Sequence, residues 1–322
     1  MASLETLHLS ESLAKDELSA DSAENDRSRA ATVLSARTVR RPAGLTSDLA
    51  EALRHDAFVH VSAESLAYLR AQNPTEAHEL QQSWNCLGPD EYLDGPSFRK
   101  RRYAMYRGEI ATGNLVCKPH GPHFQKIVHN PVFGGHERWF LPIERQIARN
   151  RVLCELIGIA QDVFAQAGPT PSAFHIEVHQ FRIEPLDEGA GHPTPEGLHR
   201  DGRNWVAIFM IARENIRGGE TRICDLTTED ELAQLTLESP FEAVFLNDHA
   251  VKHSTTDIRP AVATRDIAYR DVLVVTFIDE DQTAGEVSHP ECRSRDAQPA
   301  ERPSIALGES GGLGKDHDFG TG

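Results

Sequence analysis

The segment PEGLHRDGRNWVAIFMIARENIRGGETRICD, residues 195–225, decides the fold of this chain. Its apolar run WVAIFMI predicts a buried strand, and Gly218-Gly219 predicts a hairpin turn into a second strand. Residues i and i+2 of an extended chain point the same way, so His199 and Asp201 project together from one strand end. That arrangement suits two ligands on one face of a metal ion.

A third candidate ligand lies in the later segment LNDHAVKHSTTDI, residues 246–258. His253 is the preferred residue, and His249 is its rival. Two histidines and one carboxylate that leave open coordination positions are typical of the facial triad of non-haem Fe(II) oxygenases. The sequence therefore predicts an iron site formed by His199, Asp201 and His253.

The His-x-Asp/Glu triplet is weak evidence alone, because the composition predicts about two by chance and three occur. The triplet at His199 is favoured by its context, since a loop precedes it and a buried-type strand follows it. The pair His175/Glu177 is the alternative, although its strand continues on both sides without a loop.

Three coordination positions would stay free on such an iron. Two of them suit a bidentate 2-oxo acid, and the third suits O2. The far carboxylate of the 2-oxo acid then needs a cation, and the planar fork of arginine pairs with it bidentately. Arg270, at the start of RDVLVVTFI, is the first choice for this role and Arg265 is the second. The alternative for Arg270 is a structural pair with Asp271 or with a neighbouring acidic residue.

The pattern of apolar residues predicts a helical lead-in followed by a β-rich region. Helices are expected at 46–57, 63–72 and 144–167, with a short strand at 58–61. From residue 173 the period changes to two, and strands are expected at 174–184, 205–211, 220–226, 232–237, 243–246 and 267–278. Strands at this spacing, joined by Gly and Pro turns, favour a jelly roll.

The predicted fold class is therefore mainly β with flanking helices, around a double-stranded β-helix (jelly-roll, cupin-like) core. One domain is expected over residues 41–285, with a helical lead-in at 41–170 and the core at 171–280. Residues 1–40 and 286–322 are rich in small, polar and charged residues, which predicts two disordered tails.

One basic segment, FRKRRYAMYR at residues 98–107, stands out in an acidic chain. It predicts either an exposed edge strand protected by Lys and Arg, or a strand whose arginine reaches an anionic substrate group. Further candidate substrate contacts are His179, Arg203 and Trp205. The alternative is a role in the core or in the metal's surroundings for His179, and a solvated loop position for Arg203. For Trp205 it is a place in a pocket wall or in the core.

Charge and composition exclude several classes of partner. The net charge of −16 argues against broad contact with nucleic acid or with an anionic membrane. No apolar run approaches the roughly 20 residues that span a bilayer. The five dispersed cysteines contain no C-x-x-C pair, which favours a reduced, cytoplasmic protein. The sequence is compatible with a homodimer.

Several motifs resemble the bacterial 2-oxoglutarate/Fe(II) dioxygenases typified by L-isoleucine dioxygenase. The resemblance covers roughly residues 173–277 and is carried by HQFRI, PEGLHRDG, ENIRGGETRICD, HSTTDI and AYRDVLVVTFI. It implies a double-stranded β-helix that uses Fe(II), 2-oxoglutarate and O2. It also implies that His199, Asp201 and His253 hold the iron and that Arg270 anchors 2-oxoglutarate.

The implied reaction is hydroxylation of an unactivated C–H bond of a free or N-substituted L-amino acid, with succinate and CO2 as co-products. No catalytic residue is expected beyond the metal centre, because the cofactor performs the difficult step. Two alternatives stay open. One is the same chemistry on a protein side chain or a carrier-tethered intermediate, and the other is a non-catalytic β-barrel binding protein.

Overall fold

The computed structural model describes residues 33–37, 39–93, 98–130, 132, 134–185, 189–262 and 267–281. All of them belong to the first of the two units, Met1–Glu286, into which the chain divides. Arg265 and the predicted C-terminal tail lie outside the described residues. Val33–Ser35, which fall in the predicted N-terminal tail, form a strand.

The elements within these ranges are as follows. The strands are β1 (Val33–Ser35), β2 (Phe58–Val61), β3 (Gly88–Pro89), β4 (Arg99–Glu109), β5 (Asn114–Cys117), β6 (His123–Phe124), β7 (Glu137–Arg138), β8 (Ala173–Ile183), β9 (Trp205–Glu214), β10 (Ile216–Gly218), β11 (Thr221–Asp225), β12 (Glu231–Leu235), β13 (Ala243–Asn247), β14 (Val251–Thr255), β15 (Ile258–Pro260) and β16 (Tyr269–Asp279). The helices are α1 (Leu45–Asp56), α2 (Ala67–Gln72), α3 (Pro74–Gln82) and α4 (Arg151–Ala167), with 3₁₀ turns at Ser83–Cys86 and Ile147–Arg149.

The strands form one large antiparallel sheet and smaller sheets. The large sheet has the order β1-β5-β4-β8-β16-β9-β13-β2, and β3 also pairs with β4. A three-stranded sheet has the order β12-β11-β14, and β10 pairs with β15. This mainly β arrangement with flanking helices confirms the predicted fold class.

Alternating side chains of the large sheet build two apolar layers. In β9, Ala207, Phe209 and Ile211 belong to the layer that contains the residues of α4. Val206 and Ile208 belong to the other layer, together with residues of β11 and β14. Because both faces of β9 are covered, its sequence is continuously apolar and does not alternate.

Helix α4 begins later than the sequence predicts, at Arg151 instead of residue 144. Asn150 has extended backbone angles, and its side-chain oxygen accepts hydrogen bonds from the N–H groups of Val152 (3.0 Å) and Leu153 (3.1 Å). This is an N-cap, which satisfies two of the donors that a helix start leaves free. The 3₁₀ turn Ile147–Arg149 accounts for the helical spacing before it.

The segment before α1 is attached to α4 by a buried ion pair. Arg41 donates to Glu155, whose side chain is completely buried, and to Asp162 and the carbonyl of Ala36. Burial raises the pKa of Glu155, although Arg41 opposes that shift. The carboxylate of Glu155 therefore depends on Arg41 for its charge compensation.

We expect Arg41→Met to lower the free energy of unfolding by about 3–5 kcal/mol, because it leaves Glu155 buried without a partner. Arg37→Met is the matched control. Arg37 also pairs with Asp162 but its side chain is 45% exposed, so its loss should cost no more than about 1 kcal/mol. Denaturant titration measures both values, and equal losses would contradict the role given to Glu155.

The prediction of a hairpin turn at Gly218-Gly219 is wrong. Strand β10 pairs with β15, whereas β11 pairs with β12 and β14, so the two glycines carry the chain from one sheet to another. Both have positive φ (81° and 77°), and a Cβ on Gly218 would lie 2.1 Å from the carbonyl oxygen of Asp257. Close backbone approach explains the glycines here.

The interpretation of residues 98–107 as an edge strand is also wrong. Strand β4 pairs with β8 along its whole length, and β3 and β5 pair with its other side. Its period of two places Arg99 and Arg101 in the interior, where they are 6% and 4% exposed. The structure therefore directs two arginines of this segment into the protein.

Candidate functional site

The three predicted metal ligands meet at one point. The backbones of His199 and His253 exchange two hydrogen bonds (3.0 and 2.8 Å), which sets their rings side by side with centroids 4.5 Å apart. The Nε2 atom of each histidine lies 3.8 Å from a carboxylate oxygen of Asp201. The three ligand atoms all lie within 4.8 Å of one another. Such a set of two imidazoles and one carboxylate can hold a divalent cation.

Asp248 holds the loop that carries Asp201. Its two carboxylate oxygens accept hydrogen bonds from the backbone N–H groups of Asp201 (2.9 Å) and Arg203 (2.8 Å). Gly202, between them, has a φ of +72°, and a Cβ there would lie 2.2 Å from the ring of His129. Residues 201–203 thus form a braced loop and not the strand end that the sequence predicts, yet both ligands project to the same side.

The electrostatics differ between the two histidines. Although burial opposes it, the charges of Asp201 and Glu196 raise the pKa of His199. Burial lowers the pKa of His253 to about 4, with His199 adding to the shift, so this imidazole is neutral. The Nδ1 atom of His199 lies 3.0 Å from the carbonyl oxygen of Gly197, which assigns the proton to Nδ1 and frees Nε2. Burial, with the charge of Asp201, raises the pKa of Asp248 to about 7. Neutral imidazole is the form that binds a metal.

His249, the rival third ligand, lies elsewhere. Its Nδ1 contacts Arg200 at 3.4 Å and its Nε2 contacts the amide of Asn204 at 3.3 Å. Burial lowers the pKa of His249, and the charge of Arg200 adds to this shift. The cluster formed with Asp201 contains His253 and not His249.

A second group, His123, Glu177 and His179, also has the residue types of a metal site. Its atoms already have protein partners. Glu177 accepts hydrogen bonds from Tyr103 (2.7 Å) and Arg203 (2.7 Å), and His179 Nδ1 lies 2.8 Å from the guanidinium of Arg101. Although burial opposes it, the charge of Arg203 lowers the pKa of Glu177 well below its usual range. The guanidinium groups of Arg101 and Arg203 therefore already supply this group with the positive charge that a metal ion would bring.

His175, of the alternative metal pair, does not join that second group. Its Nδ1 contacts the ammonium of Lys118 at 2.8 Å, and its Nε2 lies 3.9 Å from Glu177. The polar side of β8 nevertheless faces the protein interior and not open solvent, because Glu177 and His179 are each 4% exposed. Of the two, His179 lines a pocket.

The first of two adjoining pockets, here called the Arg270 pocket, contains the His199, Asp201 and His253 cluster. Its other lining residues are Arg99, Phe181, Ile183, Pro193, Thr194, Glu196, Ile208, Thr255, Arg270, Val272 and Val274. Arg270 is 2% exposed, and its Nε and Nη2 atoms have no hydrogen-bond partner among the described residues. Burial, with the charge of Arg213, lowers the pKa of Arg270 to about 10, so it is still a cation at neutral pH.

The structural alternative for Arg270 is not observed. Asp271 pairs with Arg182 through two hydrogen bonds of 2.7 and 2.6 Å, on the opposite face of β16 from Arg270. A buried guanidinium with two orphaned donors is costly unless an anion binds it. Arg270 beside the cluster therefore fits the carboxylate of a ligand.

The second pocket, here called the Arg101 pocket, shares Asp201, Glu196, Phe181, Val274 and Arg99 with the first. Its other lining residues are Arg101, His123, Gln125, Asn130, Arg138, His179, Arg203 and Thr276. Sequence reasoning found two of these, His179 and Arg203, and included Arg99 and Arg101 in a basic segment. It did not single out Glu196, although the motif PEGLHRDG contains it. It also missed Gln125, Asn130 and Arg138, which carry no local signal.

Trp205, predicted to contact substrate, faces away from both pockets. Its indole stacks on Phe164 of α4 (centroids 5.2 Å apart, 10° between planes) and packs against Gly168. Side chains alternate along β9, so Ile208 lines the Arg270 pocket and Trp205 belongs to the layer beneath the helix. The structure therefore supports the alternative for Trp205, a place in the core, and not the predicted substrate contact.

The buried histidines of the Arg101 pocket make stability depend on pH. Burial lowers the pKa of His179 well below its usual range, and the charges of Arg101 and His123 add to this. Unfolded histidine has a pKa of about 6.5. Below about pH 6.5 the unfolded chain therefore binds a proton at His179 that the folded protein does not bind. The contribution of neutral His179 to the free energy of unfolding is present above this pH and is lost as the pH falls.

We expect the unfolding free energy of the metal-free protein to fall more steeply between about pH 7 and pH 5 in wild type than in His179→Gln. Denaturant titrations across this range measure the two slopes. Parallel curves would show that His179 is not held neutral by the fold.

Comparisons with known proteins agree with this geometry. The family described as 2OG-Fe dioxygenase matches residues 81–276. The chain is 28% identical over 214 residues to 3(1)-hydroxy-L-isoleucine 4-dioxygenase of Pantoea ananatis (strain AJ13355), which covers 65% of this chain and 84% of that protein. Among the described residues, no helix combines the length and apolar character that a membrane crossing requires.

Solved structures show the same fold. A bsmA homolog from Methylobium petroleophilum PM1 is similar with a TM-score of 0.67 and 32% identity, over 75% of this chain and 95% of that one. IDO from Bacillus thuringiensis is similar with a TM-score of 0.61 and 19% identity, over 73% of this chain and 96% of that one. The second likeness concerns the fold alone.

Proposed function

The chain belongs to the 2OG-Fe dioxygenase family, and from this premise we propose that it hydroxylates an unactivated C–H bond of a small L-amino acid or a close derivative. It is an enzyme of the type that uses Fe(II), 2-oxoglutarate and O2. In this reaction 2-oxoglutarate yields succinate and CO2. The observation that carries the proposal is the buried, unpaired Arg270 beside the His199, Asp201 and His253 cluster.

The residues present fit the cofactors. His199, Asp201 and His253 would hold Fe(II) on one face, and Arg270 would pair with the far carboxylate of 2-oxoglutarate. Bound together, Fe(II) and 2-oxoglutarate supply the activation of O2 that C–H hydroxylation needs. The donor set has the right chemistry, because neutral imidazoles and a carboxylate suit Fe(II) and a guanidinium suits a carboxylate.

The chain's own residues position the metal ligands and enclose the pocket beside them. Asp248 fixes the loop of Asp201, and the backbone pair between His199 and His253 fixes the two rings. Ile208 and Val272 give the Arg270 pocket apolar walls, which exclude water. The Arg101 pocket meets the metal site at Asp201, so a substrate bound there would present a C–H bond next to the metal.

Two observations support an amino acid as the substrate. One is the curated relative from Pantoea ananatis, whose name gives 3(1)-hydroxy-L-isoleucine as its substrate. The other is the polar and charged lining of the Arg101 pocket, which suits a small molecule that carries charge.

The test is turnover by the purified protein with Fe(II), 2-oxoglutarate and a panel of L-amino acids. Succinate and a product that has gained one oxygen atom should form in equal amounts, and His199→Ala should form neither. Succinate that no member of the panel increases, or that persists in His199→Ala, would contradict the proposal.

A further inference from the structure

Resting on the proposed function, we infer that the substrate is an amino acid with a free α-ammonium group, held by its carboxylate at Arg101 and by its ammonium at Glu196. Both residues line the Arg101 pocket, and Glu196 also lines the Arg270 pocket beside the metal ligands. The two side chains offer opposite charges to one small molecule.

Arg101 is a buried cation with a free donor. It is 4% exposed, and its Nε has no hydrogen-bond partner among the residues that the structure describes. Its guanidinium lies 3.4 Å from the ring centroid of Phe140 and 4.5 Å from that of Phe181, which hold it in place. The position of Arg101 is thus fixed before any ligand binds.

The surroundings of Arg101 do not neutralise it fully. Its contact with Asp90 is long (3.4 Å), and the same carboxylate oxygen lies 2.8 Å from Arg99. Its other polar contact is His179, which is neutral. Burial, together with the charges of Arg99 and Arg138, lowers the pKa of Arg101 to about 9, although Asp90 opposes the shift. A carboxylate from the substrate would relieve this excess of positive charge.

Glu196 is the anionic counterpart of Arg101 in this pocket. Its side chain is 11% exposed, and its Oε2 is buried without a hydrogen-bond partner in the described part of the chain. Its Oε1 lies 3.5 Å from Nε2 of His199, the atom that a metal would take. A buried carboxylate oxygen that lacks a donor is costly, and an ammonium group supplies both donors and charge.

The two charges discriminate between substrate classes. An N-acyl amino acid offers Glu196 one amide N–H but no positive charge, so the buried carboxylate stays uncompensated. An amine without a carboxylate leaves Arg101 without an anionic acceptor. A site built on such polar partners rejects analogues that lack them by about a hundredfold or more. With both charged groups held, the side chain is the part of the substrate left for the metal.

The first experiment compares three matched compounds with the wild-type holoenzyme: L-isoleucine, N-acetyl-L-isoleucine and 2-methylbutylamine. The corresponding series of L-leucine and L-valine are run in parallel, and succinate is measured. We expect turnover of free amino acids alone. Turnover of N-acetyl derivatives at similar kcat/KM would overturn this inference and leave the proposed function intact. No turnover of any compound would overturn both.

The second experiment uses Glu196→Gln and Arg101→Gln, with Glu51→Gln on the exposed face of α1 as the matched control. In each pocket variant, the KM for the free amino acid should rise about tenfold or more relative to the KM for 2-oxoglutarate. Anaerobic calorimetric titration with L-isoleucine should show the same loss of affinity, and a melting curve checks the fold. Unchanged affinity in both pocket variants would overturn the assignment.

Discussion

His253→Ala is expected to lower kcat/KM by about a thousandfold or more, because removing even an outer partner of a metal ligand costs 10–100-fold and this change removes a ligand itself. The fold should survive. The backbone hydrogen bonds between residues 199 and 253 do not involve the ring, and Nδ1 of His253 has no partner among the described residues. The measurement is succinate formation together with bound iron per protein after anaerobic loading.

His249→Ala is the matched control for this prediction. It removes the same ring four residues earlier, where the imidazole contacts Arg200 and Asn204 and not the Asp201 cluster. We expect it to keep its iron and most of its activity. If the two variants lost activity equally, or if His249→Ala alone lost iron, the assignment of the third ligand would be wrong.

Arg270→Leu is expected to raise the KM for 2-oxoglutarate by about a hundredfold or more, since losing one partner of a buried charge pair costs about 2–5 kcal/mol. It should also stabilise the ligand-free protein. The wild-type guanidinium is 2% exposed with two orphaned donors, so an apolar residue in its place removes an uncompensated charge.

Weaker 2-oxoglutarate binding combined with higher stability tests whether Arg270 is the residue that binds 2-oxoglutarate. In wild type, 2-oxoglutarate should raise the melting temperature of the metal-loaded protein, whereas in Arg270→Leu it should change little. Arg259→Leu, at an exposed position of β15, is the control and should behave as wild type. An Arg270→Leu protein that kept its 2-oxoglutarate affinity would place the anchor elsewhere.

The sequence predicted what depends on neighbouring residues. Period-two alternation located β8, and the long apolar run located β9. The spacing of His199 and Asp201 sufficed to place them on the same side, even though a braced loop replaces the predicted strand end. The resemblance over residues 173–277 indicated the family that the comparisons then showed.

What the sequence could not predict depends on pairing between distant segments. The Gly218-Gly219 turn has the composition of a hairpin, but β10 pairs with the distant β15, and β11 pairs with β12 and β14 instead of β10. Trp205 packs beneath α4 because of the face of β9 on which its side chain lies. A continuous apolar run does not reveal which side chains take which face. The start of α4 moved because one extended residue, Asn150, interrupts a helical pattern.

The site shows the same division. Asp248 braces the Asp201 loop across 47 residues of sequence, and Gln125 donates to the carbonyl of Asp201 across 76. Neither residue has a motif of its own. Arg101 was visible as part of a basic segment, yet only the pairing of β4 with β8 shows that it points into a pocket.

The central claim is that His199, Asp201 and His253 hold one Fe(II). The most direct measurement is an anomalous difference map at the iron absorption edge, from crystals grown anaerobically with Fe(II) and 2-oxoglutarate. One peak is predicted, about 2.0–2.2 Å from the Nε2 atoms of the two histidines and an oxygen of Asp201, with 2-oxoglutarate reaching Arg270. A peak instead among His123, Glu177 and His179, or none at the predicted position, would contradict the claim.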